Sequence, residues 1–542
     1  MQYDVTSLIR KLEPRWRALW RTPICEIVSA RGASAAAHAT LMRQHLRRWN
    51  SSRSLVDAAD VVDAAIRTGD YGAGAAAALS IINDETARDS LKVAASRILR
   101  QTSDRPSSVL SPLAEWDENS LFPAIARLKR RLSMMPRDAL TAMEIARLQS
   151  QVGQRKSAVR YVERALASAP NDRYILRSAV NFFADRSVKG DAPMVARAIA
   201  TSDVVRHDPW VQAAEIAAAN ICGQTPRWAL KARHSLDGPL KDPTSVSELA
   251  AGLAVLEQNA GAARRNVNRL VRTSLRSPTE NALAQAVWSK RELTLELDVA
   301  SHLTKIENAF EARARAAFEQ KDYATAVEQS WEWLQDQHSS VSAAIYGASI
   351  STALLADYHK TLAFTTYGLK ANPDNPMLLN GRLVALAYTG QLGEAEKVLS
   401  TLDAYEADAK FRPFVLAARG LLAFRRGSIA EGREWYTRTA EAAIQSKQEA
   451  LVANALMYWI EQELLAGTIE AEEANALVTK LDEKYSRKEY VGARAATWEA
   501  RRKIIVNLIN VATMKREVLS RYSRSNSIGP SDRWLVASTP ED

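Results

Sequence analysis

The sequence contains almost no cysteine and no long apolar run. Cys25 and Cys222 are the only two cysteines in 542 residues, so neither a disulfide framework nor a cysteine-rich zinc site is encoded. No window holds the roughly 18 uninterrupted apolar residues that a membrane span requires, and the N-terminus lacks the apolar core of a signal peptide. We therefore expect a cytoplasmic protein in a reducing compartment.

Recognisable catalytic and cofactor motifs are lacking as well. The seven histidines are dispersed, with no H-E-x-x-H motif and no cysteine pair nearby, so no metal site is encoded locally. The stretch GQRKS at 153–157 lacks the spacing of a phosphate-binding loop, and there is no G-x-S-x-G nucleophile motif. The sequence predicts no cofactor, no metal site and no catalytic residue, and we expect a protein that is not an enzyme.

Acidic residues are scarce at the N-terminal end. Residues 1–53 carry ten Lys or Arg against three acids, whereas the whole chain has a formal net charge of +10. A basic region of this kind can meet nucleic acid, anionic lipid or an acidic partner. Arginine supplies 52 of the 72 basic residues and alanine is abundant, a composition typical of GC-rich bacterial genomes, so we expect a bacterial origin.

What the sequence does contain is helical periodicity, most clearly in residues 139–172. Apolar residues recur there at spacings of three and four on both sides of Gly153, which indicates two amphipathic helices joined by a turn. Pro170 ends the second helix. Ala146 and Ala158 are small at the place where the two helices would cross. The unit is a helical hairpin of about 34 residues.

This hairpin resembles the tetratricopeptide repeat. The stretch supplies Ala146, Gly153, Ala158, Ala165 and Pro170 at the positions where that family has small residues, a turn glycine, an alanine and a proline. The resemblance implies an all-α protein, a right-handed superhelical α-solenoid of stacked helical hairpins. In such a fold one hairpin cannot bury its apolar stripe alone, and the stack shares a continuous core.

The pattern recurs along the chain. The expected turn residues Lys321, Ala356, Gly390 and Gly427 are separated by 35, 34 and 37 residues. Weaker copies surround Gly69, Gly261 and Gly467.

Stretches rich in Pro, Gly, Ser and Asp divide the chain into expected units. These are a basic N-terminal helical region with a degenerate repeat (1–100), tetratricopeptide-like repeats (119–234), degenerate repeats (246–300), the clearest repeats (301–445), C-terminal helices that cap the solenoid (446–522) and a polar tail (523–542).

The N-terminal segment combines an apolar face with basic residues. Its apolar side chains are those of Val5, Leu8, Ile9, Leu12, Trp16, Leu19 and Trp20. Pro14 interrupts this stripe, because proline fits poorly inside a helix. We expect two short pieces that cap the solenoid or dock on a partner; the alternative is an interfacial membrane helix.

Arginine is concentrated in two places that could contact anions or nucleic acid. These residues are Arg265, Arg269, Arg272 and Arg276, which form one helical stripe, and Arg43, Arg47 and Arg48 in the basic N-terminal region. The alternative for the stripe is a solvated outer face.

The family resemblance also implies a concave groove where protein ligands bind. Carrying over the family's groove positions selects Tyr346, Ile350, Leu354, Val384, Tyr388, Phe414, Leu421 and Phe424. This lining is apolar and aromatic, which favours a hydrophobic anchor over a terminal carboxylate. In the alternative register these side chains face the core.

The sequence thus predicts a non-enzymatic scaffold or adaptor, a subunit of a complex, that holds a protein partner on a tetratricopeptide-type superhelix. The second hypothesis is a nucleic-acid-associated or regulatory subunit that uses its basic N-terminal region. The third is an enzyme of the α/α-toroid type, whose catalytic acids lie on long loops.

Overall fold

The structure is a computed structural model of the 542-residue chain. It describes residues 12–18, 22, 26, 35–68, 71–87, 89–102, 118–184, 191–237, 242–446, 449–485, 499–511 and 513–514. Within these ranges no residue is in a β-strand. None of the described helices is long and apolar enough to cross a bilayer.

The helices follow one another in chain order. They are α1 (Ala35–Ser52), α2 (Leu55–Thr68), α3 (Tyr71–Ile82), α4 (Asp89–Thr102), α5 (Glu118–Met134), α6 (Ala139–Gln151), α7 (Arg155–Ser168), α8 (Arg173–Phe182), α9 (Asp191–Thr201), α10 (Pro209–Cys222), α11 (Ala229–Asp237), α12 (Pro243–Asn259), α13 (Arg264–Ser274), α14 (Glu280–Glu292), α15 (Ala300–Leu303), α16 (Phe310–Glu319), α17 (Tyr323–Asp336), α18 (Val341–Ala353), α19 (Tyr358–Ala371), α20 (Pro376–Tyr388), α21 (Leu392–Leu402), α22 (Arg412–Arg425), α23 (Ile429–Gln445), α24 (Glu449–Ala466), α25 (Ala471–Tyr485) and α26 (499–511).

Capping side chains start the first helices of successive hairpins. Asp138, Asp172, Asp208 and Asp242 each accept a hydrogen bond from a backbone N–H in the first turn of the helix that follows. They are separated by 34, 36 and 34 residues, the length of one hairpin. An N-cap of this type satisfies a backbone donor that has no partner inside the helix. The capping residues therefore recur with the period of the repeat.

The turns inside the hairpins use a left-handed residue. Gly390 and Gly427 have φ of 78° and 83°, and Lys321 and Ala356 take the same region with φ of 62° and 51°. This conformation lets the chain reverse directly after the first helix. The four turn positions expected from the sequence are therefore confirmed, including the two that lack glycine.

The hairpins stack into a solenoid. Successive first helices pack against each other from α6 to α16 and again from α18 to α24, and α17 packs on α18 between the two runs. The apolar core continues through these contacts from one hairpin to the next. The all-α fold of stacked helical hairpins, similar to the tetratricopeptide repeat, is confirmed. Helices α1 to α4 pack on one another around a separate cluster that includes Trp49 and Ile81.

The stack curves until its first hairpin meets its seventh. Helix α6 contacts α19, and Arg155 at the start of α7 donates a hydrogen bond to the carbonyl oxygen of Ala371 at the end of α19. Ser150 Oγ lies 2.8 Å from His338 Nε2 in the loop before α18. Hairpins far apart in the chain thus enclose a narrow interior, and the inner surface of the solenoid is flanked by protein on both sides.

The closeness of helix packing predicts the effect of a single methyl group. A Cβ added to Gly347 in α18 would lie 2.2 Å from the ring of Phe364 in α19. We expect Gly347→Ala to lower the free energy of unfolding by about 1 to 2 kcal/mol, because the cost of overpacking exceeds the gain in helix propensity. Urea denaturation followed by circular dichroism measures this.

A matched control is Gly393→Ala in α21, where an added Cβ meets no atom within 4 Å. That change should leave stability unaltered or slightly raised. Equal stability of the two variants would show that α18 and α19 do not cross at Gly347.

Candidate functional site

The interior of the solenoid is occupied by the chain's own N-terminal segment. Residues 12–18, hereafter the N-terminal segment, form neither helix nor strand and cross the first helices of several hairpins. Trp16 is 0% exposed and Arg17 is 3% exposed, although both belong to a segment without secondary structure. This segment is bound as a peptide would be, by side chains that come from distant parts of the chain.

Two arginines of the segment form buried ion pairs with the wall. Arg15 Nε lies 3.0 Å from Glu280 Oε2, and Arg15 Nη2 lies 3.7 Å from Glu311 Oε2. Arg17 donates through Nε to Asp336 at 2.7 Å and through Nη2 to Glu280. Burial raises the pKa of Glu280, and the positive charges of Arg17 and Arg15 oppose this rise. The wall therefore offers acidic side chains where the segment offers cations.

Trp16 fills an aromatic pocket on the other side of the segment. Its ring meets Phe182 of α8 edge-on, with centroids 5.7 Å apart, and packs at a tilt against His338 at the same distance. The guanidinium of Arg155 lies over the Phe182 ring, 5.0 Å from its centroid. The pocket thus combines a helix of the second hairpin with the loop before the seventh.

The wall also holds the main chain of the segment. Asn181 Nδ2 donates to the carbonyl oxygen of Pro14 at 2.9 Å, and the hydroxyl of Tyr174 donates to that of Arg17 at 2.8 Å. Ser342 Oγ donates to the Glu13 carboxylate at 2.9 Å. Side chains that bind backbone carbonyls position a peptide whatever its sequence, whereas the ion pairs and the aromatic pocket select one.

We use the name inner groove for the surface that contacts the N-terminal segment. Its members lie on α8, α12, α14, α16, α17 and α18 and in the loop before α18; they are Tyr174, Asn181, Phe182, Ala251, Val255, Glu280, Ala282, Glu311, Asp336, His338, Ser340 and Ser342.

His338 links the groove to a testable dependence on pH. Burial, together with the positive charge of Arg147, lowers the pKa of His338 well below 6.5. The folded chain thus keeps this imidazole neutral, whereas the unfolded chain protonates it below about pH 6.5. Because the unfolded state then binds the extra proton, stability falls as the pH drops through 6.5.

We expect His338 to cost the fold about 1.4 kcal/mol between pH 7.5 and pH 5.5. Comparing the wild type with His338→Gln in urea at both pH values cancels the contributions of all other groups. The variant should lose less stability on acidification than the wild type by that amount. His207→Gln, which alters an exposed histidine, is the matched control. Identical slopes for all three proteins would contradict a buried neutral His338.

Comparisons with known proteins add little to this geometry. No family model matches the chain, and no curated protein matches it. Among solved structures, the chain is similar to the crystal structure of the yeast Tom70, with 10% sequence identity over 87% of this chain and 99% of that chain and a TM-score of 0.30. A likeness this weak has no bearing on function, and the repeat architecture rests on the hairpins themselves.

A second buried polar cluster lies at the other end of the stack. Arg501 of α26 is 2% exposed, and its Nη1 lies 2.7 Å from Glu461 Oε2 in α24. Its guanidinium lies over the Tyr458 ring, 4.0 Å from the centroid. Tyr388 donates to Glu461 Oε1 at 2.9 Å and stacks on Tyr358 with ring centroids 4.2 Å apart. Helix α26 thus inserts one arginine among three tyrosines.

The groove residues expected from the sequence are mostly interior. Six of the eight, namely Tyr346, Ile350, Val384, Phe414, Leu421 and Phe424, are between 1% and 5% exposed. They pack in the core clusters between hairpins, and burial raises the pKa of Tyr346 to about 12. Leu354 and Tyr388 are half-buried, and Tyr388 belongs to the Arg501 cluster. A role of these residues in partner binding stays a prediction.

The seven arginines expected to contact anions or nucleic acid are all exposed. Arg265, Arg269 and Arg272 are exposed on one side of α13, opposite the buried Val267, Leu270 and Val271, and Arg276 is exposed just after this helix. Arg43, Arg47 and Arg48 are exposed on α1. A nucleic-acid contact through these residues stays a prediction. Arg15 and Arg17, by contrast, are held in ion pairs.

The N-terminal apolar stripe differs from its prediction. Residues 12–18 are not helical, and they dock inside the solenoid rather than forming a cap. Trp16 turns inward because the aromatic pocket buries it completely. Val5, Leu8, Ile9, Leu19 and Trp20 lie outside the described residues.

The acidic wall was not expected from the sequence. A usable signal exists in the isolated polar residues of otherwise apolar first helices, such as Gln212 and Glu215 in α10 and Gln285 in α14, all of which are buried. Buried polar side chains need partners, so their presence on first helices indicates a polar interior.

Proposed function

We propose that the protein is a non-enzymatic scaffold that holds an extended segment of a partner protein in its inner groove. The observation that carries this proposal is the mode of binding of residues 12–18. A surface that binds main-chain carbonyls, fills an aromatic pocket and forms ion pairs with a segment lacking secondary structure has the properties of a peptide-binding site. The N-terminal segment then acts as an internal ligand that a partner replaces.

The composition supports a bacterial source, and the repeat architecture supports a role as a subunit of a complex. Stacked hairpins form extended concave surfaces that suit protein ligands. The lack of catalytic motifs in the sequence agrees with a role in binding.

Site-specific crosslinking tests this proposal in the full chain. A photoreactive amino acid at Ser342, which contacts Glu13 of the N-terminal segment, probes the inner groove. The matched control is the same amino acid at Glu328, which is exposed on α17. After irradiation in an extract of the source organism, mass spectrometry identifies the crosslinked peptides.

We expect the Ser342 probe to give two crosslinked products, one with the N-terminal segment and one with a peptide of another protein. The Glu328 probe should give neither product. Crosslinks from Ser342 to the N-terminal segment alone would show that the segment is a permanent part of the core, and the proposal would be wrong.

A further inference from the structure

The two sides of the inner groove contact alternate side chains of the N-terminal segment. In an extended chain, successive side chains point to opposite sides, and those two residues apart share a side. Arg15 and Arg17 contact the carboxylates of Glu280, Glu311 and Asp336, while the intervening Trp16 contacts the aromatic pocket. The groove is therefore built for three consecutive residues of defined chemistry.

The carboxylates on the acidic side of the inner groove are buried deeply enough that a ligand must supply positive charge. The side chains of Asp336 and Glu280 are 1% and 13% exposed, and both pair with Arg17. Glu311 also has a cation of the wall beside it, because Arg315 Nε lies 3.0 Å from its carboxylate. A buried carboxylate is costly unless positive charge compensates it. A ligand that lacked arginines would reduce this compensation. Arginine also reaches two carboxylates at once, because Arg17 donates through Nε to both oxygens of Asp336 at 2.7 Å and through Nη2 to Glu280.

The aromatic side of the groove is equally selective. Trp16 is fully buried between Phe182 and His338. A smaller side chain would leave a cavity at this place, and a charged one would have to be desolvated beside a neutral imidazole.

From these contacts we propose that the inner groove recognises a partner protein through an extended Arg-aromatic-Arg segment, which takes the place of residues 15–17. This rests on the proposed scaffold function and adds the chemistry of the partner. The hydrogen bonds from Tyr174 and Asn181 to main-chain carbonyls hold any such segment in the same register.

A labelled peptide with the sequence of residues 11–20 serves as the probe, and fluorescence anisotropy measures its binding. The receptor is the full chain in which Arg15→Ala, Trp16→Ala and Arg17→Ala weaken the internal ligand. We expect this variant to bind the peptide at least about tenfold more tightly than the wild-type chain does, because the internal segment no longer competes. Peptides carrying Trp16→Ala, or Arg15→Ala with Arg17→Ala, should bind at least about tenfold more weakly than the unchanged peptide.

A scrambled peptide of the same composition controls for charge alone. If it binds as tightly as the ordered peptide, the groove does not read the pattern and the proposal is wrong. A second receptor covers the case in which the triple variant misfolds: the otherwise unaltered full chain with a protease site inserted after Gly32. After cleavage, the labelled peptide should exchange with the severed segment. No exchange would also overturn the proposal.

Two further outcomes separate this proposal from the scaffold function and from binding of a second copy. If the Ser342 probe captures another protein but the peptide does not bind, the scaffold function stands and the Arg-aromatic-Arg chemistry is wrong. If light scattering shows that the wild-type chain dimerises, with residues 12–18 of one copy crosslinked in the groove of the other, the occupant is a second copy and the partner proposal is wrong.

Discussion

Replacing Trp16 with alanine will lower the free energy of unfolding by about 3 to 5 kcal/mol. The indole is 0% exposed and packs against Phe182 and His338, so truncation removes buried apolar surface and leaves a cavity between hairpins that are far apart in the chain. This loss of stability has an upper limit, because the segment leaves the groove when releasing it costs less free energy than keeping it bound. Urea denaturation followed by circular dichroism measures the change.

Trp435→Ala is the matched control. Its indole is half-buried on α23, where Arg419 lies 4.9 Å from the ring centroid. Less apolar surface is lost there, so the expected cost is about 1 to 2 kcal/mol. A Trp16→Ala variant that is as stable as the wild type would show that residues 12–18 contribute nothing to holding the solenoid together.

Replacing Arg501 with alanine will have an effect of similar size at the other end of the stack. The change leaves Glu461 buried without its closest cation, and the loss of one partner of a buried ion pair costs about 3 to 5 kcal/mol. Burial alone would lower the pKa of Arg501, but the Glu461 carboxylate beside it reverses this and raises the pKa well above its ordinary value. Arg501 therefore stays charged throughout the accessible pH range.

The next residue provides the control for this prediction. Arg502 pairs with Asp482 at 2.7 Å, but its side chain is 56% exposed, so Arg502→Ala should cost less than about 1 kcal/mol. The double variant Arg501→Met with Glu461→Gln should recover at least about half of the loss, because it removes the uncompensated charge and keeps an acceptor for Tyr388. A double variant no more stable than Arg501→Ala would assign the loss to packing of α26.

The repeat architecture could be predicted from the sequence because its causes are local. The turn residues Lys321, Ala356, Gly390 and Gly427 recur at the length of one hairpin, and all four have positive φ. Each hairpin is defined within about 34 residues by its own apolar stripe, turn and cap. Local patterns of this kind survive in a single sequence.

The inner groove could not be predicted because its contacts are not local. Arg17 pairs with Glu280 and Asp336, which lie 263 and 319 residues away in the chain. No pattern of spacing encodes such a pairing. Pro14 correctly indicated that the N-terminal stripe would not continue as one helix, but nothing in the segment indicated where it would dock.

The aromatic residues expected in the groove illustrate a different limit. Tyr346 and Phe414 fall at helical spacing, which is equally compatible with a core position and a groove position. They lie in the core, where the Tyr346 ring contacts Phe318 and Trp333, and Phe414 packs in a cluster shared by α22, α23 and α24. Sequence periodicity identifies a buried face without identifying its neighbour.

The position of residues 12–18 has a consequence for biosynthesis. The N-terminal segment is translated more than 300 residues before Asp336 and Ser342, which contact it. At about 5 to 20 residues per second, the ribosome needs roughly 15 to 65 seconds to reach them. During that time the early hairpins can form one after another, as in other repeat proteins, but the nascent chain carries Trp16 without its complete binding site. Final closure of the interior therefore depends on the order of translation, and a ribosome that stalls before Asp336 would present both the segment and half of its receptor to other molecules.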